Sequence, residues 1–442
     1  MMQSTDLYQQ ILGLRSPWTV SSVKMDEGKE EIHIHVEHSL NGEFRCPKCQ
    51  LALPIYDHVS ERTWRHLDTC QMKTILHAKP PRVNCPEHHV HQVHLPWCEP
   101  GSGFTAMFER LAIDMIQFMS KTRAATILRV TLACLIGIRD RAVARGLVRR
   151  AADKAAGTHR VLRHGCVDEK SWRKGRKFGT IICNVGTKTV EEVYEGRAGN
   201  GLSAFYKELG DTEKSQIESM SQDFHEGFWR VTLDSLKQGR EVVVFDRFHL
   251  MMHVNEALAT THRKEASQAR HAIERGKGKS PTSKPGREAL AAQAKLEDIK
   301  GARWLMVRSL PNMTDAQVEK MAWVEGSYYE SAEAWRLKEE LRDMWQCQTV
   351  EEAAAWLADW CQLVVKSGVS AMQRVGNLVE KYAWGILNGF RMGLSNSPAE
   401  TMNSKIQSVR AKARGHRNFE AFKNDVLFHL GGLSLYPKMA TP

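Results

Sequence analysis

The order of strand-like and helical runs between residues 160 and 250 constrains the fold more than any other feature of the sequence. Three strand-like runs come first, and helical runs then alternate with two further strands. The strands are expected at 165–168, 179–186, 189–195, 215–222 and 240–246, and the helices at 201–209 and 225–238. Three adjacent strands followed by this alternation are the order that an RNase H-like α/β sheet requires.

The remainder of the chain divides around this α/β region. Residues 250–395 are helical in character and hold many of the twelve tryptophans, and a final helix begins near Pro398. We expect an RNase H-like catalytic domain at 161–249, interrupted by an all-α insertion at 250–395 and completed by its last helices at 396–442. Two upstream parts are expected: a β-rich zinc-finger-like module at 1–99 and a helix-turn-helix at 100–160.

Three acidic residues are the candidate catalytic groups. Asp168 and Asp223 each follow a β-prone run, and Glu400 lies near the start of the final helix. Carboxylates at strand ends can hold two Mg²⁺ ions (or Mn²⁺), which activate the attacking oxygen and stabilise the leaving oxygen in phosphoryl transfer. Asp246 is an alternative second acid, because it ends the most apolar strand and begins a D-x-x-H element with His249. Asp223 is preferred because it follows the fourth strand.

Two short pairs of soft ligands predict a structural zinc site. Cys46 and Cys49 form a C-x-x-C pair, and Cys85 and His88 form a C-x-x-H pair after a strand. Two such turns can supply the four ligands of a tetrahedral zinc ion. Other residues close in the sequence leave the fourth ligand open: His66, His89, His91, His94 and Cys98. A β module with reduced, metal-free thiols is the alternative.

Basic residues in two places predict contacts with nucleic acid. Residues 121–150 contain eight Lys or Arg and one acidic residue, within a short helix and a longer one. On the longer helix we expect three residues near the exposed side, as a major-groove reader needs: Arg139, Arg141 and Arg145. An amphipathic helical hairpin with a solvated basic face is the alternative. Further basic residues follow Glu400 on the final helix, and four are candidate DNA contacts: Lys405, Arg410, Lys412 and Arg414.

The overall charge favours a polyanionic partner. The chain of 442 residues carries a formal net charge of +11, and Lys and Arg gain affinity by displacing the counterions of phosphates. The longest apolar run, VTLACLIGI, is far shorter than the ~20 residues that span a bilayer, and no signal-peptide pattern opens the sequence. We therefore expect a cytoplasmic protein without a membrane partner, whose ten cysteines are free thiols or metal ligands.

Several long motifs resemble the ISL-three family of bacterial insertion-sequence transposases. They are Cys46–Cys49 with Cys85, PGSGFTAMFE, VDEKSWRKG, SQDF, FDRFHL, GARWLMVRSLPNMT and SNSPAETMNSKIQSVRAKARGHRNFEAF. The resemblance covers nearly the whole chain. Two motifs depart from it: the second zinc pair is C-x-x-H where the family is expected to have C-x-x-C, and Phe-His follows Asp223 where an SxDM-like run is more usual.

The resemblance implies a DDE transposase that binds terminal inverted repeats and joins them to target DNA with two Mg²⁺ ions. Asp168 and Glu400 would be the first and last catalytic acids, Asp223 the second, and Asp246 with His249 an accessory element. A dimer or larger assembly on double-stranded DNA at the bacterial nucleoid would follow. Two alternatives are a non-catalytic DNA-binding regulator derived from a transposase, which would not nick DNA, and an RNase H-like nuclease, which would not join it.

Overall fold

The structure is a computed structural model. It describes residues 3–39, 42–159, 161–173, 175, 177–197, 199–299, 302–308, 312–325, 329–393, 397–413 and 415–438. Side-chain positions are described throughout these ranges except at 303, 323–325, 397–400 and 403.

Strands dominate the first hundred residues and the middle of the chain, and helices the remainder. The strands are β1 (Trp18–Asp26), β2 (Glu31–His38), β3 (Phe44–Arg45), β4 (Ala52–Leu53), β5 (Ile55–His58), β6 (Arg62–Arg65), β7 (Lys73–Ala78), β8 (Pro81–Cys85), β9 (His89–Gln92), β10 (His164–Arg173), β11 (Lys177–Asn184), β12 (Thr189–Glu195), β13 (Ser219–Gln222) and β14 (Val243–Phe245). The helices are α1 (Ser4–Ile11), α2 (Ala106–Phe118), α3 (Lys121–Leu128), α4 (Leu132–Ala155), α5 (Asn200–Glu208), α6 (Asp211–Ser215), α7 (Glu226–Ser235), α8 (Arg247–Gly276), α9 (Lys284–Ile299), α10 (Ala302–Met306), α11 (Asp315–Glu325), α12 (Glu330–Asp343), α13 (Val350–Ser367), α14 (Ser370–Arg391), α15 (Ser397–Ala413) and α16 (Phe419–Leu430).

The chain forms two compact units. One contains residues 1–159 and 409–442, and the other contains residues 160–408. This division differs from the predicted one, in which 396–442 belongs wholly to the catalytic domain. The reason is local: α16 packs on α4, and its Asp425 is buried in ion pairs with residues of α3 and α4.

The β-rich module at the N-terminus is built from small sheets. The four-stranded sheet has the order β1-β2-β7-β6, and β5-β8-β9 and β3-β4 form two smaller ones. Buried residues alternate with more exposed ones along β2 and β7, so one face of the larger sheet is buried around Ile34, Trp64 and Leu76. The opposite face carries His33 and His35 of β2 and His77 of β7.

Three side chains cap the N-termini of the helices that follow the β-rich module. Thr105, Ser120 and Thr131 each accept a hydrogen bond from the backbone N–H three residues further on, at the starts of α2, α3 and α4. Arg129 ends α3 in the left-handed conformation, with φ of 54°, and turns the chain toward α4. The predicted pair of a short and a longer helix is confirmed, and the longer one, α4, continues to Ala155, beyond the predicted segment 121–150.

The second unit contains a mixed five-stranded sheet of order β12-β11-β10-β13-β14. The pairs β10–β11 and β11–β12 are antiparallel, whereas β10–β13 and β13–β14 are parallel. The α/β character of this region is confirmed. Two strands are shorter than predicted, because the backbone N–H of Gly210 and the Glu213 carboxylate form a capping contact that starts α6, and Gly239–Glu241 form a 3₁₀ turn.

A group of helices follows β14 and packs on it. Asp246 directly follows β14 and is the N-cap of α8, a helix of 30 residues. The helical core includes Trp335 and Trp360, which are fully or almost fully buried. The Asn388 side-chain amide on α14 donates 2.8 Å hydrogen bonds to the backbone oxygens of Arg240 and Val243. Helix α14 therefore covers the β14 edge and satisfies backbone acceptors there.

Candidate functional site

Acidic residues occupy one row across the three parallel strands of the larger unit. Cys166 pairs with Ser221, and Ser221 pairs with Val244, so these positions of β10, β13 and β14 are in register. The residue two positions further along each chain segment is acidic: Asp168, Asp223 and Asp246. Asp168 lies within β10, whereas Asp223 and Asp246 directly follow β13 and β14, so the three acids come at one level of the sheet.

Asp168 and Asp246 line one small cavity. His249 lines it too, and Met402 and Ile406 of α15 close it from the other side. Asp223 is not among its lining residues. Among the described side chains, the three strand-end acids do not form a group with ligand atoms all within 4.8 Å of one another. The structure therefore brings Asp168, Asp246 and His249 together, with Asp223 beside them in the same row.

A lysine balances the charge of Asp168. Lys170, two residues further on the same face of β10, places its Nζ atom 2.8 Å from Asp168 Oδ2. That oxygen is buried and has no hydrogen bond of normal geometry with the residues that the structure describes, where its contact with Lys170 is an ion pair. The Asp168 carboxylate thus keeps acceptor capacity next to the other two acids of the row.

The first two turns of α8 hold polar groups next to these acids. Asp246 is 5% exposed, and its Oδ1 accepts a 2.8 Å hydrogen bond from the Phe248 N–H. Its Oδ2 lies 4.0 Å from His249 Nε2. Burial and then the charge of His249 lower the pKa of His253, and the charge of Asp223 opposes this effect. The helix therefore presents Asp246, His249 and His253 near the strand ends.

Asp223 is oriented by its own backbone turn. Its Oδ1 accepts a 2.8 Å hydrogen bond from the His225 N–H, and the side chain is partly exposed. The next residue, Phe224, is buried against Phe245 and Tyr382. The Phe-His pair that departs from the family motif therefore anchors the loop, and the carboxylate of Asp223 stays accessible.

Glu400, the predicted third acid, falls on α15, but its side chain lies outside the described residues. The same helix contributes Met402 and Ile406 to the cavity of Asp168.

The predicted zinc ligands form one cluster. The ligand atoms of Cys46, Cys49, Cys85 and His88 all lie within 4.8 Å of one another. The Cys49 and Cys85 sulfurs are 3.6 Å apart, and His88 Nδ1 is 3.5 Å from Cys85 Sγ and 4.0 Å from Cys46 Sγ. A tetrahedron with zinc–sulfur bonds of about 2.3 Å has edges of about 3.8 Å. The backbone N–H of Cys49 lowers the pKa of the Cys46 thiol and favours its thiolate.

Among the candidates for the fourth ligand, His88 is the one that lies with the three cysteines. The other candidates, His66 among them, are absent from the cluster. His66 is buried, its Nδ1 lies 2.9 Å from the Thr105 hydroxyl, and burial lowers its pKa to about 4. Cys98 is also buried, and burial raises its pKa to about 12, so it is an inert core thiol.

The expectation that Arg139, Arg141 and Arg145 lie near the exposed side of α4 is wrong. Arg139 is 2% exposed and forms ion pairs with Asp140 and Asp425. Arg141 pairs with the buried Glu109, and Arg145 pairs with both Glu109 and Glu99. These arginines face α2 and α16 because buried carboxylates there require partners.

A sequence signal for this burial was present. Leu135, Ile138 and Ala142 are buried apolar residues at helical spacing on α4. Arg139 lies four residues after Leu135, so it falls on the same stripe. The acidic partners could not be assigned from the sequence, because Asp425 lies almost three hundred residues away.

The basic residues after Glu400 are placed differently. Lys405 and Lys412 are exposed on α15, and Arg410 is half-buried. Arg414 lies outside the described residues.

A basic cleft of about 720 Å³ lies within the N-terminal unit, which is the unit that contains residues 1–159 and 409–442. It is formed by the starts of α3 and α4 and by the turn between α15 and α16. Five Lys or Arg side chains line it: Lys121, Arg123, Arg139, Lys412 and Arg417. Arg123, Lys412 and Arg417 are exposed, whereas Lys121 is mostly buried and contacts Asp425.

Asp425 organises the wall of the basic cleft. Its carboxylate accepts hydrogen bonds from Lys121, Arg139 and His416. Burial opposes ionisation of Asp425, but the hydrogen bond from His416 and the charges of Arg139 and Lys121 outweigh it and hold the pKa well below its usual range. Sequence reasoning missed this network, whose members are far apart along the chain.

Comparison with known proteins identifies the family. The ISL3 transposase family model, described as "Transposase", matches residues 166–426. A second model, described as the zinc-finger of transposase IS204/IS1001/IS1096/IS1165, matches residues 42–88. These matches contain the strand-end acids and the Cys46 cluster respectively.

Curated relatives agree with this assignment. The chain is 25% identical to the transposase for insertion sequence element IS1557 of two Mycobacterium tuberculosis strains, over 88% of this chain and 86% of theirs. It is 22% identical to the transposase for insertion sequence element IS1001 of Bordetella parapertussis, over 58% of each chain. No solved structure matches the chain significantly.

Hydropathy gives one further finding: none of the helices in the described part of the chain is both long and apolar enough to cross a membrane. The expected resemblance is confirmed, and the chain belongs to the ISL3 family of transposases.

Proposed function

We propose that this protein is a DDE transposase that binds the terminal inverted repeats of its insertion sequence, cuts the DNA at each end and joins the ends to target DNA. The in-register row formed by Asp168 within β10 and by Asp223 and Asp246 directly after β13 and β14 carries this proposal. The sheet order β12-β11-β10-β13-β14 supports an RNase H-like catalytic domain, because β10 is central and its parallel neighbours end beside it.

The donor set fits Mg²⁺. The acids of the row are carboxylates, the hard oxygen ligands that Mg²⁺ prefers, and buried Asp168 Oδ2 has no hydrogen bond with any described residue. Asp168, Asp223 and Glu400 would hold two ions. Bound Mg²⁺ would activate the attacking oxygen and stabilise the leaving oxygen.

Other residues of the site would orient the reacting groups or balance the charge of the acids. Asp246 caps α8 and holds His249 near the cavity that it shares with Asp168. From there the His249 ring would donate a hydrogen bond to a phosphate oxygen. Lys170 would balance the charge of Asp168 when no cation is bound. Asp246 and His249 would thus act as the accessory element, with Asp223 as the second acid.

The basic cleft supports a DNA-backbone interface. Arg123, Lys412 and Arg417 are exposed along it, and Lys405 adds an exposed cation on α15. These side chains would contact phosphates, which position a protein on DNA without reading its sequence. The cleft therefore takes the role first expected of Arg139, Arg141 and Arg145. The Cys46 cluster would hold a structural zinc ion, since four protein ligands leave no open position for water.

Joining two ends of one element requires two copies of the site. We therefore propose that the protein acts on DNA as a dimer or larger assembly, at the nucleoid.

The test uses duplexes that carry the ends of the protein's own insertion sequence, incubated with Mg²⁺. Asp168→Asn, Asp223→Asn and Glu400→Gln are expected to abolish cleavage and keep DNA binding, whereas Asp246→Asn retains slow cleavage. Asp234→Asn, at an exposed position on α7, is the matched control and keeps full activity. Cleavage that persists in both Asp168→Asn and Glu400→Gln would refute the mechanism. Residual activity in Asp223→Asn, with none in Asp246→Asn, would reassign the second acid.

Product analysis separates joining from simple hydrolysis. Joined molecules with short target duplications are expected from a transposase, and their absence despite end cleavage would indicate a nuclease. Binding without metal-dependent nicking would indicate a non-catalytic DNA-binding regulator.

A further inference from the structure

The outer face of the four-stranded sheet carries a group of histidines that neither the zinc cluster nor the acidic row uses. His33 and His35 alternate with buried apolar residues on β2, and His77 does so on β7. His35 and His77 are direct partners in the parallel β2–β7 register. Glu61, just before β6, completes the histidine patch, which we define as His33, His35, Glu61 and His77.

Three members of the histidine patch have ligand atoms at metal-binding separation. One ligand atom from each of His35, Glu61 and His77 lies within 4.8 Å of the other two. His77 Nδ1 is 3.2 Å from Glu61 Oε1, and the His35 and His77 rings stack with centroids 4.6 Å apart. With bonds of about 2.0–2.2 Å, two ligands of one tetrahedral zinc ion lie about 3.3–3.6 Å apart. A small closure would bring the three groups onto one ion.

His33 supplies the outer support that metal-binding histidines normally have. Its Nδ1 lies 2.9 Å from His77 Nε2, and its Nε2 lies 3.4 Å from Glu31 Oε2. If His77 binds metal through Nδ1, its Nε2–H can donate to His33 Nδ1, and the His33 Nε2–H then points to Glu31. This series of hydrogen bonds fixes the tautomer and ring orientation of His77 for metal binding.

The patch is open to solution. The Glu61 side chain is 43% exposed and His77 18% exposed, and a surface pocket of about 330 Å³ is lined by His35, His58, Glu61 and His77. Water could complete the coordination from the pocket side.

We propose that His35, Glu61 and His77 form a second metal site, distinct from the Cys46 cluster, that takes a divalent transition-metal ion such as Zn²⁺ or Co²⁺. Two imidazoles and one carboxylate favour these metals over Mg²⁺, which prefers oxygen ligands. An ion there links β2, β7 and the segment before β6. Its three protein ligands leave at least one position to water or a further ligand.

Cobalt titration of the metal-stripped full-length protein distinguishes the two sites. Co²⁺ in the Cys46 cluster gives an intense thiolate charge-transfer band, whereas Co²⁺ bound by histidine and carboxylate gives only weaker d–d bands. The wild-type protein is expected to bind two equivalents of Co²⁺, one of which adds no thiolate charge-transfer absorption. His77→Gln and Glu61→Gln are expected to lose that equivalent and keep the thiolate band, which also reports that the module is folded.

His58→Gln is the matched control, because His58 lines the same pocket but lies outside the three-ligand group. It is expected to keep both equivalents. A single cobalt equivalent in the wild type, a second equivalent that survives in His77→Gln, or its loss in His58→Gln would each overturn the assignment.

Discussion

At the scale of single residues, the structure separates cations that hold the fold from cations that face solution. Arg139 and Arg123 belong to adjoining helices and both line the basic cleft. Arg139 is 2% exposed against an almost buried Asp425, whereas Arg123 is exposed. Net charge alone could not distinguish them, since the difference depends on the distant carboxylate. Their substitutions should therefore affect different properties.

Arg139→Ala is expected to lower the free energy of unfolding by about 3–5 kcal/mol, because it leaves buried Asp425 without a main partner. Arg123→Ala is expected to change stability by less than about 0.5 kcal/mol and to weaken DNA binding, with a shallower salt dependence. Chemical denaturation and DNA-binding titrations at several salt concentrations measure the two effects. Equal loss of stability in both variants would contradict the assignment.

His66 predicts a specific pH dependence. Burial lowers its pKa from 6.5 to about 4, so the unfolded chain binds this proton more tightly than the folded one. The contribution of His66 to stability is therefore fully present above pH 6.5 and is lost as pH falls toward 4. In His66→Gln, the free energy of unfolding should fall less steeply over that range than in the wild type. Parallel slopes in denaturation at stepped pH would exclude this role.

At the scale of elements, the local order of strands and helices was predictable, because it follows from residue patterns within short windows. The five strands of the α/β sheet and the α3–α4 pair lie where the sequence predicts them. The ends of β13, β14 and α4 were not predictable, since capping contacts and tertiary packing decide them. Two glycines of α14 show how closely one element fits another.

Gly385 and Gly389 on α14 both face β14, but the space available for an added methyl group differs between them. A methyl group at Gly385 would lie 2.4 Å from the ring of Phe245, which is buried beside Tyr382 and Trp384. At Gly389 the nearest atom, in Val244, is 3.5 Å away. Gly385→Ala should lower the free energy of unfolding by about 1–3 kcal/mol.

Gly389→Ala is the matched control, and it should be neutral or stabilising by up to about 1 kcal/mol. Thermal or chemical denaturation of the two variants gives the comparison. A neutral Gly385→Ala would mean that Phe245 moves freely aside.

At the scale of the whole molecule, the sequence identified the candidate functional residues better than it showed which of them lie together in the structure. Asp168 and Asp223 were predicted to act together with Glu400, with Asp246 as the alternative second acid, and the strand register shows that all three aspartates lie in one row. The membership of 409–442 in the N-terminal unit also escaped prediction, because the Asp425 contacts join residues far apart in sequence. The four proposed zinc ligands do lie together, as their spacing predicted, since each pair lies within one tight turn.

Loss of the Cys46 cluster should affect the whole N-terminal module. Cys85→Ala is expected to bind one zinc ion fewer than the wild type and to unfold at lower temperature, because metal binding contributes directly to folding. Cys70→Ser is the matched control: Cys70 is exposed in the same module and outside the cluster. Metal analysis and thermal denaturation test this, and full zinc content in Cys85→Ala would refute the ligand assignment.

The direct passage from β14 into α8 limits how the protein can be dissected. Asp246 is at once the residue after the strand, the cap of the helix and a wall of the acidic cavity. A truncation that removes the helical segment at residue 250 would therefore unravel the turn that holds His249. A fragment that retains the acidic row has to keep the start of α8 and also α14, which packs on β14 and on Phe224 beside Asp223.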